Sequence, residues 1–418
     1  MKLIVVSVFS KMHVNLYLRM RKALAEKGYE FLFLTSQYTT YKYISNKGCK
    51  AELIKYRAIK KERKEYRDLR EKLSHSMDVV LNVLSIDKAV GYYKTVYEML
   101  DNINREQHIS VVFAFQNVKI DEMALHDFAQ NHHINRLFFE FSNIPGKLFC
   151  DREGSNKKSE LFISGGHILD RFECPTDEEY KMWKDQYLKI KFAQISVPQA
   201  RIIPRTNREK LIDLIFSFFI THLPFSPINP KTAFKININR LFVKLFNKHP
   251  LSKNLVDFDF IANEKKYLFF PLQVSSDTQI VINSKISLIE ALEKAVEIAK
   301  RTEKLLVIKP HPAEYNKFAQ EKIISIAQKY GCIICNNNTF DLISHSYKVI
   351  TINSTVGLES MILGVPVIVL ADTFYKNFTY EQLKKYLLRY LINIELFSNK
   401  IINNVDEILE RSKCDSIQ

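Results

Sequence analysis

The chain has 418 residues, 46% hydrophobic and 12% aromatic, which gives room for two or three packed cores and excludes a disordered or fibrous protein. A formal net charge of +15 points to anionic partners: a nucleotide-linked substrate, anionic lipid or nucleic acid. The six cysteines are irregularly spaced, and Cys332 and Cys335 lie in the apolar run GCIIC, so they read as core residues of a reduced compartment and not as zinc or redox ligands. The amino terminus enters an apolar strand directly, with no cleavage signal, and no uncharged apolar run is long enough to span a bilayer. The expected location is the cytoplasm.

In chain order, residues 2–9 predict a strand, 15–27 a helix ended by Gly28, and 29–35 a second strand. This is a βαβ opening of Rossmann type without a GxGxxG fingerprint. Ser7, Ser10 and His13 stand at the tip of the first strand instead, and His13 either faces a cleft or packs within its own turn. Residues 55–72 carry nine basic and four acidic side chains and read first as a solvated helix face, second as a membrane-surface contact. Strands follow at 109–115, ending at Gln116 and Asn117, and at 137–140, ending in the carboxylate of Glu140. Residues 126–133 fall in a helix, where the adjacent His132 and His133 cannot face one metal. The polar loop expected after Glu140 holds Asn143, Pro145, Gly146, Asp151, Gly154 and Asn156. Such a loop after a buried strand is a usual place for catalytic groups, which makes Glu140 and Asp151 the candidate general base or nucleophile. Asn143 and Asn156, with His13, are expected on the acceptor side.

A helix is expected at 177–191 with the single tryptophan, Trp183. Residues 201–255 then hold ten Lys or Arg against Glu209 and Asp213, with five prolines and the run LIDLIFSFFITHLPF. They read as a linker with packed helices, and second as a contact with an anionic membrane. From about 265 a second α/β segment begins: a strand at 267–271, a loop carrying Gln273, Asp277 and Gln279, an amphipathic helix at 288–301, and a strand at 305–308 running into Lys309-Pro310-His311-Pro312. A helix at 317–330 and strands at 332–335 and 349–352 follow. Asn353-Ser354-Thr355 then opens a helix to Leu363, closed by Gly364, with a strand at 365–370. Free backbone N–H groups at such a helix start, beyond the end of a parallel strand, are where open α/β folds hold phosphate. Glu359, one turn in, is within reach of a ribose hydroxyl. Residues 380–410 are expected to be helical and to cross back to the first domain.

These features predict an α/β, GT-B-like fold of two Rossmann-type domains facing across a cleft: 1–200 as acceptor and catalytic domain, 201–262 as basic apolar linker, and 263–418 as nucleotide-sugar domain with C-terminal helices. The segments FFEFSNIPGKLFCDREGSN, FFPLQVSSDTQI, IKPHP and NSTVGLESMILGVPVIVL, in this order across residues 108–375, resemble the capsule polysaccharide synthesis proteins, which include retaining β-Kdo transferases. The resemblance implies a glycosyltransferase moving Kdo from CMP-Kdo to a (lyso)phosphatidylglycerol or Kdo-linker acceptor, peripheral on the inner membrane, with capsule assembly or export proteins as partners. It implies that Lys309, His311 and Pro312 hold the donor's phosphate and carboxylate, that Asn353, Ser354, Thr355 and Glu359 meet the nucleotide, and that Asp151 stands at the position of a covalent nucleophile. Lipid-directed relatives tend to carry a Gly-Tyr-Arg-Pro-like run after the glutamate, whereas this chain has Phe141-Ser142-Asn143-Ile144-Pro145.

The chemistry agrees with the charge, because Lys309 and His311 could bind a donor's phosphate and carboxylate through charge-assisted hydrogen bonds. Loss of CMP leaves an oxocarbenium-like centre that a carboxylate can trap. No DxD-type motif stands near either pocket, so no metal and no cofactor beyond the donor are expected. The rivals are a capsule glycosyltransferase using another nucleotide sugar, a sugar-nucleotide epimerase, and a non-catalytic membrane- or polysaccharide-binding assembly protein. Nucleic acid is not an expected partner, since the aromatic residues are not interleaved with basic ones.

Overall fold

A computed structural model describes residues 1–58, 66–142, 144–192, 205–224, 251, 254–275, 277–314 and 316–413. The chain divides into two α/β units. Among the described residues the first takes in Met1–Pro175, the part of 196–229 that is described, and the chain from Lys384 onward. The second takes in the helix Asp177–Phe192 and the part of 230–383 that is described. The expected boundaries at 200 and 262 therefore differ from the observed ones: the helix with Trp183 packs in the second unit, and the C-terminal stretch belongs to the first.

The first unit is built on β1 (Lys2–Ser7), β2 (Tyr29–Thr35), β3 (Lys50–Leu53), β4 (Ile109–Phe115), β5 (Asn135–Phe141) and β6 (Leu148–Asp151). Their order is β3-β2-β1-β4-β5-β6, parallel throughout except that β6 runs antiparallel to β5. Alternate residues of β1 enter two different cores, which is why the strand is apolar on both faces. Leu3 and Val5 pack with the helices Ile86–Glu106 and Ile120–Asn131, while Ile4 and Val6 pack with the helix Lys11–Glu26. Tyr17 fills the second core, with its ring edge-on to Phe33 and Phe139. The returning C-terminal stretch completes that core with Ile392, Ile394, Ile402, Val405 and Ile408, and Ile392 bridges antiparallel to Leu148.

Two expectations change here. Asp151 sits at the end of a strand, not in a loop, because residues 148–151 add an edge to the sheet. The stretch 380–410 is not one helix. Only Tyr380–Lys385, the π-helical turn Tyr386–Tyr390 and Asp406–Ser412 are helical, since the apolar residues between serve the distant core and not a local helix face.

The second unit carries β7 (Tyr267–Pro271), β8 (Leu305–Lys309), β9 (Ile333–Ile334), β10 (Lys348–Thr351) and β11 (Val367–Val369), all parallel, in the order β11-β10-β7-β8-β9. Counted within the unit, this is the same 3-2-1-4-5 order as the first five strands of the other sheet. In both, the chain reverses its direction of winding beside the first strand, between β1 and β4 or between β7 and β10. A crevice opens beyond the strand ends at such a switch point, and there open α/β sheets take their ligands. The helix Leu288–Arg301 is fixed by a capping box of Ser287 and Glu290, and Lys317–Tyr330 ends at Gly331 in the left-handed conformation.

Candidate functional site

At the switch point of the second unit, two side chains on the tips of β7 and β10 are joined. Gln273 Nε2 donates to Asn353 Oδ1 at 3.1 Å, and the Asn353 amide donates to Gln273 Oε1 at 3.4 Å. Both residues are buried. The pair holds the tips in register just ahead of the helix Thr355–Leu363. Ser354, not Thr355, is the cap of that helix: its hydroxyl accepts from the Val356 amide at 3.2 Å, and Thr355 is the first helical residue. Behind the cap, the Tyr375 hydroxyl donates to the Ser354 carbonyl oxygen. Tyr375 can approach because residue 357 is glycine; a Cβ there would lie 2.5 Å from the tyrosine oxygen. The helix start is thus fixed from three sides, just beyond the end of β10.

Lys309 ends β8 and donates to the Asn337 carbonyl at 2.7 Å and to Thr339 Oγ1 at 2.9 Å, tying β8 to the loop after β9. Burial lowers its pKa below the usual lysine value. His311 is exposed, and its Nδ1 lies 3.1 Å from the Ala313 amide, which donates to it. The neutral ring therefore carries its proton on Nε2, as a donor to whatever stands beyond the strand end. Asp277 precedes the short helix Thr278–Val281, which also contains Gln279, so these two lie on a helical turn and its start instead of an open loop. Glu359 is buried and accepts from Lys191 Nζ at 2.7 Å, with the Tyr187 hydroxyl at 3.5 Å. The sequence placed Glu359 by a ribose; in this structure it is paired with a lysine from the helix Asp177–Phe192. One organiser escaped the sequence reading. Glu314, 3% exposed, accepts from the amides of Ser275 at 2.6 Å and Asn316 at 2.8 Å, and so joins the loops after β7 and β8.

At the switch point of the first unit, the Ser7 hydroxyl donates to Asp121 at the start of the helix after β4. His13 lies flat on Phe115, ring centroids 4.0 Å apart, and burial pushes its pKa down to about 3, with help from Lys119. The ring is neutral at ordinary pH. Beyond β4, Gln116 and Asn117 both have positive φ, 73° and 65°, and Asn156 follows at 53° in the loop after β6. Non-glycine residues are uncommon there, and adjacent ones persist only where the surroundings enforce them. The enforcement is visible: Asn117 Nδ2 donates to the Glu153 carbonyl at 2.7 Å, Lys158 Nζ to the Asn117 carbonyl at 2.7 Å, and the Ser155 amide to the Gln116 carbonyl at 2.9 Å. Gly154, at φ 140°, is needed because a Cβ would come within 2.9 Å of Asn117.

The two candidate carboxylates differ sharply in this setting. Asp151, 3% exposed, accepts from the amides of Glu153 (2.8 Å), Gly154 (3.2 Å), Glu160 (3.0 Å) and Leu161 (3.2 Å) and from the Tyr390 hydroxyl (2.6 Å). Burial raises its pKa against the opposing pull of these donors. Both oxygens are occupied in shaping residues 152–161. Glu140, near the carboxyl end of β5, accepts from Gln116 Nε2 at 2.6 Å. Burial raises its pKa too, with the Gln116 and Ser155 side chains favouring the charged form. Glu140 therefore lies beside the strained tip of β4, together with Ser155. Asn156 opens a short helical turn in the same loop. Asn143 lies outside the described residues.

A family model described as capsule polysaccharide biosynthesis protein matches residues 127–380. Protein FixF of Sinorhizobium fredii is 36% identical over 115 residues, which are 26% of this chain and 27% of that protein; the match spans about a quarter of that relative's length. Among solved structures, the chain is similar to the Thermosulfurimonas dismutans KpsC beta Kdo 2,7 transferase, at 14% identity and TM-score 0.42, covering 98% of this chain and 97% of that one. It is also similar to the UDP-GlcNAc 2-epimerase of Methanocaldococcus jannaschii, at 12% identity and TM-score 0.28, covering 98% and 99%.

Proposed function

This chain belongs to the capsule polysaccharide biosynthesis protein family, and we propose that it is a glycosyltransferase moving a CMP-linked 2-keto sugar acid, Kdo, to a lipid or glycolipid acceptor with retention of configuration. The observation that carries the reading is the capped helix start at Ser354 beside the Gln273–Asn353 pair, at the switch point of the second sheet. There the positive end of the helix suits the donor's phosphate, and His311 Nε2–H suits its carboxylate. Donor binding is assigned to the second unit.

Of the two carboxylates, Glu140 is assigned the chemistry and Asp151 the anchoring of the loop that follows it. An oxygen of Glu140 attacks the anomeric carbon as the bond to the CMP phosphate breaks, and CMP departs with the bonding pair. The acceptor hydroxyl, its proton passing to solvent water, then attacks the anomeric carbon from the face opposite the ester and releases the Glu140 carboxylate. Two inversions give retention. Gln116 steadies Glu140 for this role through its 2.6 Å hydrogen bond. Asp151 is the less suited group because attack would cost it donors that shape residues 152–161.

The test pairs a donor screen with one variant. CMP-Kdo is expected to be consumed only when acceptor is present, with Glu140→Gln losing turnover yet still binding CMP. Full turnover in Glu140→Gln would move the chemistry to another group. Turnover with a UDP- or GDP-linked sugar and none with CMP-Kdo would keep the transferase and change its donor.

A further inference from the structure

The helix Asn207–Phe216 and the π-helical turn Ser217–Thr221 that continues it present an apolar edge to solvent. Leu211, Leu214, Ile215, Phe218, Phe219 and Ile220 are all exposed, Phe218 by 73% and Phe219 by 71%. The reason lies on the opposite face. Asp213 is buried and accepts from the Thr39 amide (2.8 Å), the Thr39 hydroxyl (2.6 Å) and Arg205 Nη1 (3.0 Å). Glu209 pairs with Lys11 and closes a capping box with Thr206. Phe216 stacks on Tyr38 with centroids 3.4 Å apart. The helix is thus pinned by its polar side, and its apolar side is left outward.

Both acids of this element are neutralised by those pairs, whereas Arg208, Lys210 and, on the neighbouring helix Tyr38–Asn46, Lys42 are exposed. The exposed edge is therefore apolar with a cationic rim. Such a contiguous apolar edge marks an interaction surface, and the charge selects an anionic partner. Among the described residues no helix is long and apolar enough to cross a membrane. We propose that this edge docks the chain in the plane of an anionic phospholipid surface, with Phe218 and Phe219 entering the headgroup layer and Arg208, Lys210 and Lys42 facing lipid phosphates. The proposal stands apart from the donor assignment, and its test needs no turnover.

The full chain is mixed with vesicles of phosphatidylcholine alone or with added phosphatidylglycerol, and binding is read by co-sedimentation. Binding is expected only to the phosphatidylglycerol vesicles and to weaken with salt. The double variant Phe218→Ser, Phe219→Ser is expected to lose about tenfold or more of the partition coefficient, and Arg208→Glu with Lys210→Glu to lose the preference for phosphatidylglycerol. Unchanged melting temperature and unchanged CMP binding in solution would show that the variants are folded. No binding by the wild-type chain, or equal binding by the phenylalanine variant, overturns the proposal. So does self-association of the wild-type chain that the same variant abolishes without any effect of vesicles, which would make the edge a contact between copies.

Discussion

Replacing Asp151 by alanine removes the acceptor of five hydrogen bonds at once, four from backbone amides and one from the Tyr390 hydroxyl. With the side chain 3% exposed, water has little access to the donors left behind. A buried donor without a partner costs roughly 1–3 kcal/mol, but residues 152–161 can relax and recover part of that. A loss of about 3–5 kcal/mol is expected for the first unit, which for a unit of its size lowers the melting temperature by roughly 6–20 °C. Asp151→Asn should cost less, since an amide oxygen still accepts on one side while its NH2 group opposes donors on the other. Tyr390→Phe should cost about 1 kcal/mol, and a double-mutant cycle with Asp151→Asn should show coupling between the two. Thermal unfolding followed by circular dichroism measures all three. An Asp151→Ala protein within about 0.5 kcal/mol of wild type would refute the anchoring role and reopen Asp151 as the reacting carboxylate.

Gly357→Ala forces Tyr375 away from the helix start, so a loss of about 1–3 kcal/mol by overpacking and weaker CMP binding are expected together; calorimetric titration showing undiminished CMP affinity would contradict this. Lys191→Met leaves Glu359 buried without its cation, at a cost of about 3 kcal/mol, measured by chemical unfolding. Should Lys191→Met instead leave stability intact, the pair with Glu359 is not structural. His13 has its pKa depressed by burial, so its contribution is complete above about pH 6.5 and is lost as pH falls towards about 3. His13→Gln should flatten the fall in stability with acid across that window, where a single site contributes up to about 1.4 kcal/mol per pH unit. An unchanged pH profile would show that the histidine ring is freely hydrated.

The regular parts of the chain were legible because local signals agreed with the long-range ones. The strands Tyr29–Thr35, Ile109–Phe115 and Tyr267–Pro271 and the helices Leu288–Arg301 and Lys317–Tyr330 follow from apolar runs bounded by caps and glycines. The Asn-Ser-Thr start of the helix after β10 was readable for the same reason. What depended on distant partners was not. β6 is four residues long and exists by pairing with β5 and bridging to Ile392, none of which shows in FSNIPGKLFC. Asp151 meets Tyr390 across 239 positions, and Glu359 meets Lys191 across 168, so their roles could not be read from neighbours. Gln116 and Asn117 were visible as polar residues ending an apolar strand, but their left-handed backbone arises from the loop 152–158 folding onto them.

The most direct measurement is the mass of the acceptor after incubation of the full chain with a CMP-Kdo-generating system and a short-chain phosphatidylglycerol acceptor. One Kdo increment is expected with wild type and with Asp151→Asn at a temperature where that variant is folded, and none with Glu140→Gln. An unmodified acceptor with folded wild-type protein, or an undiminished increment with Glu140→Gln, would contradict the proposed function.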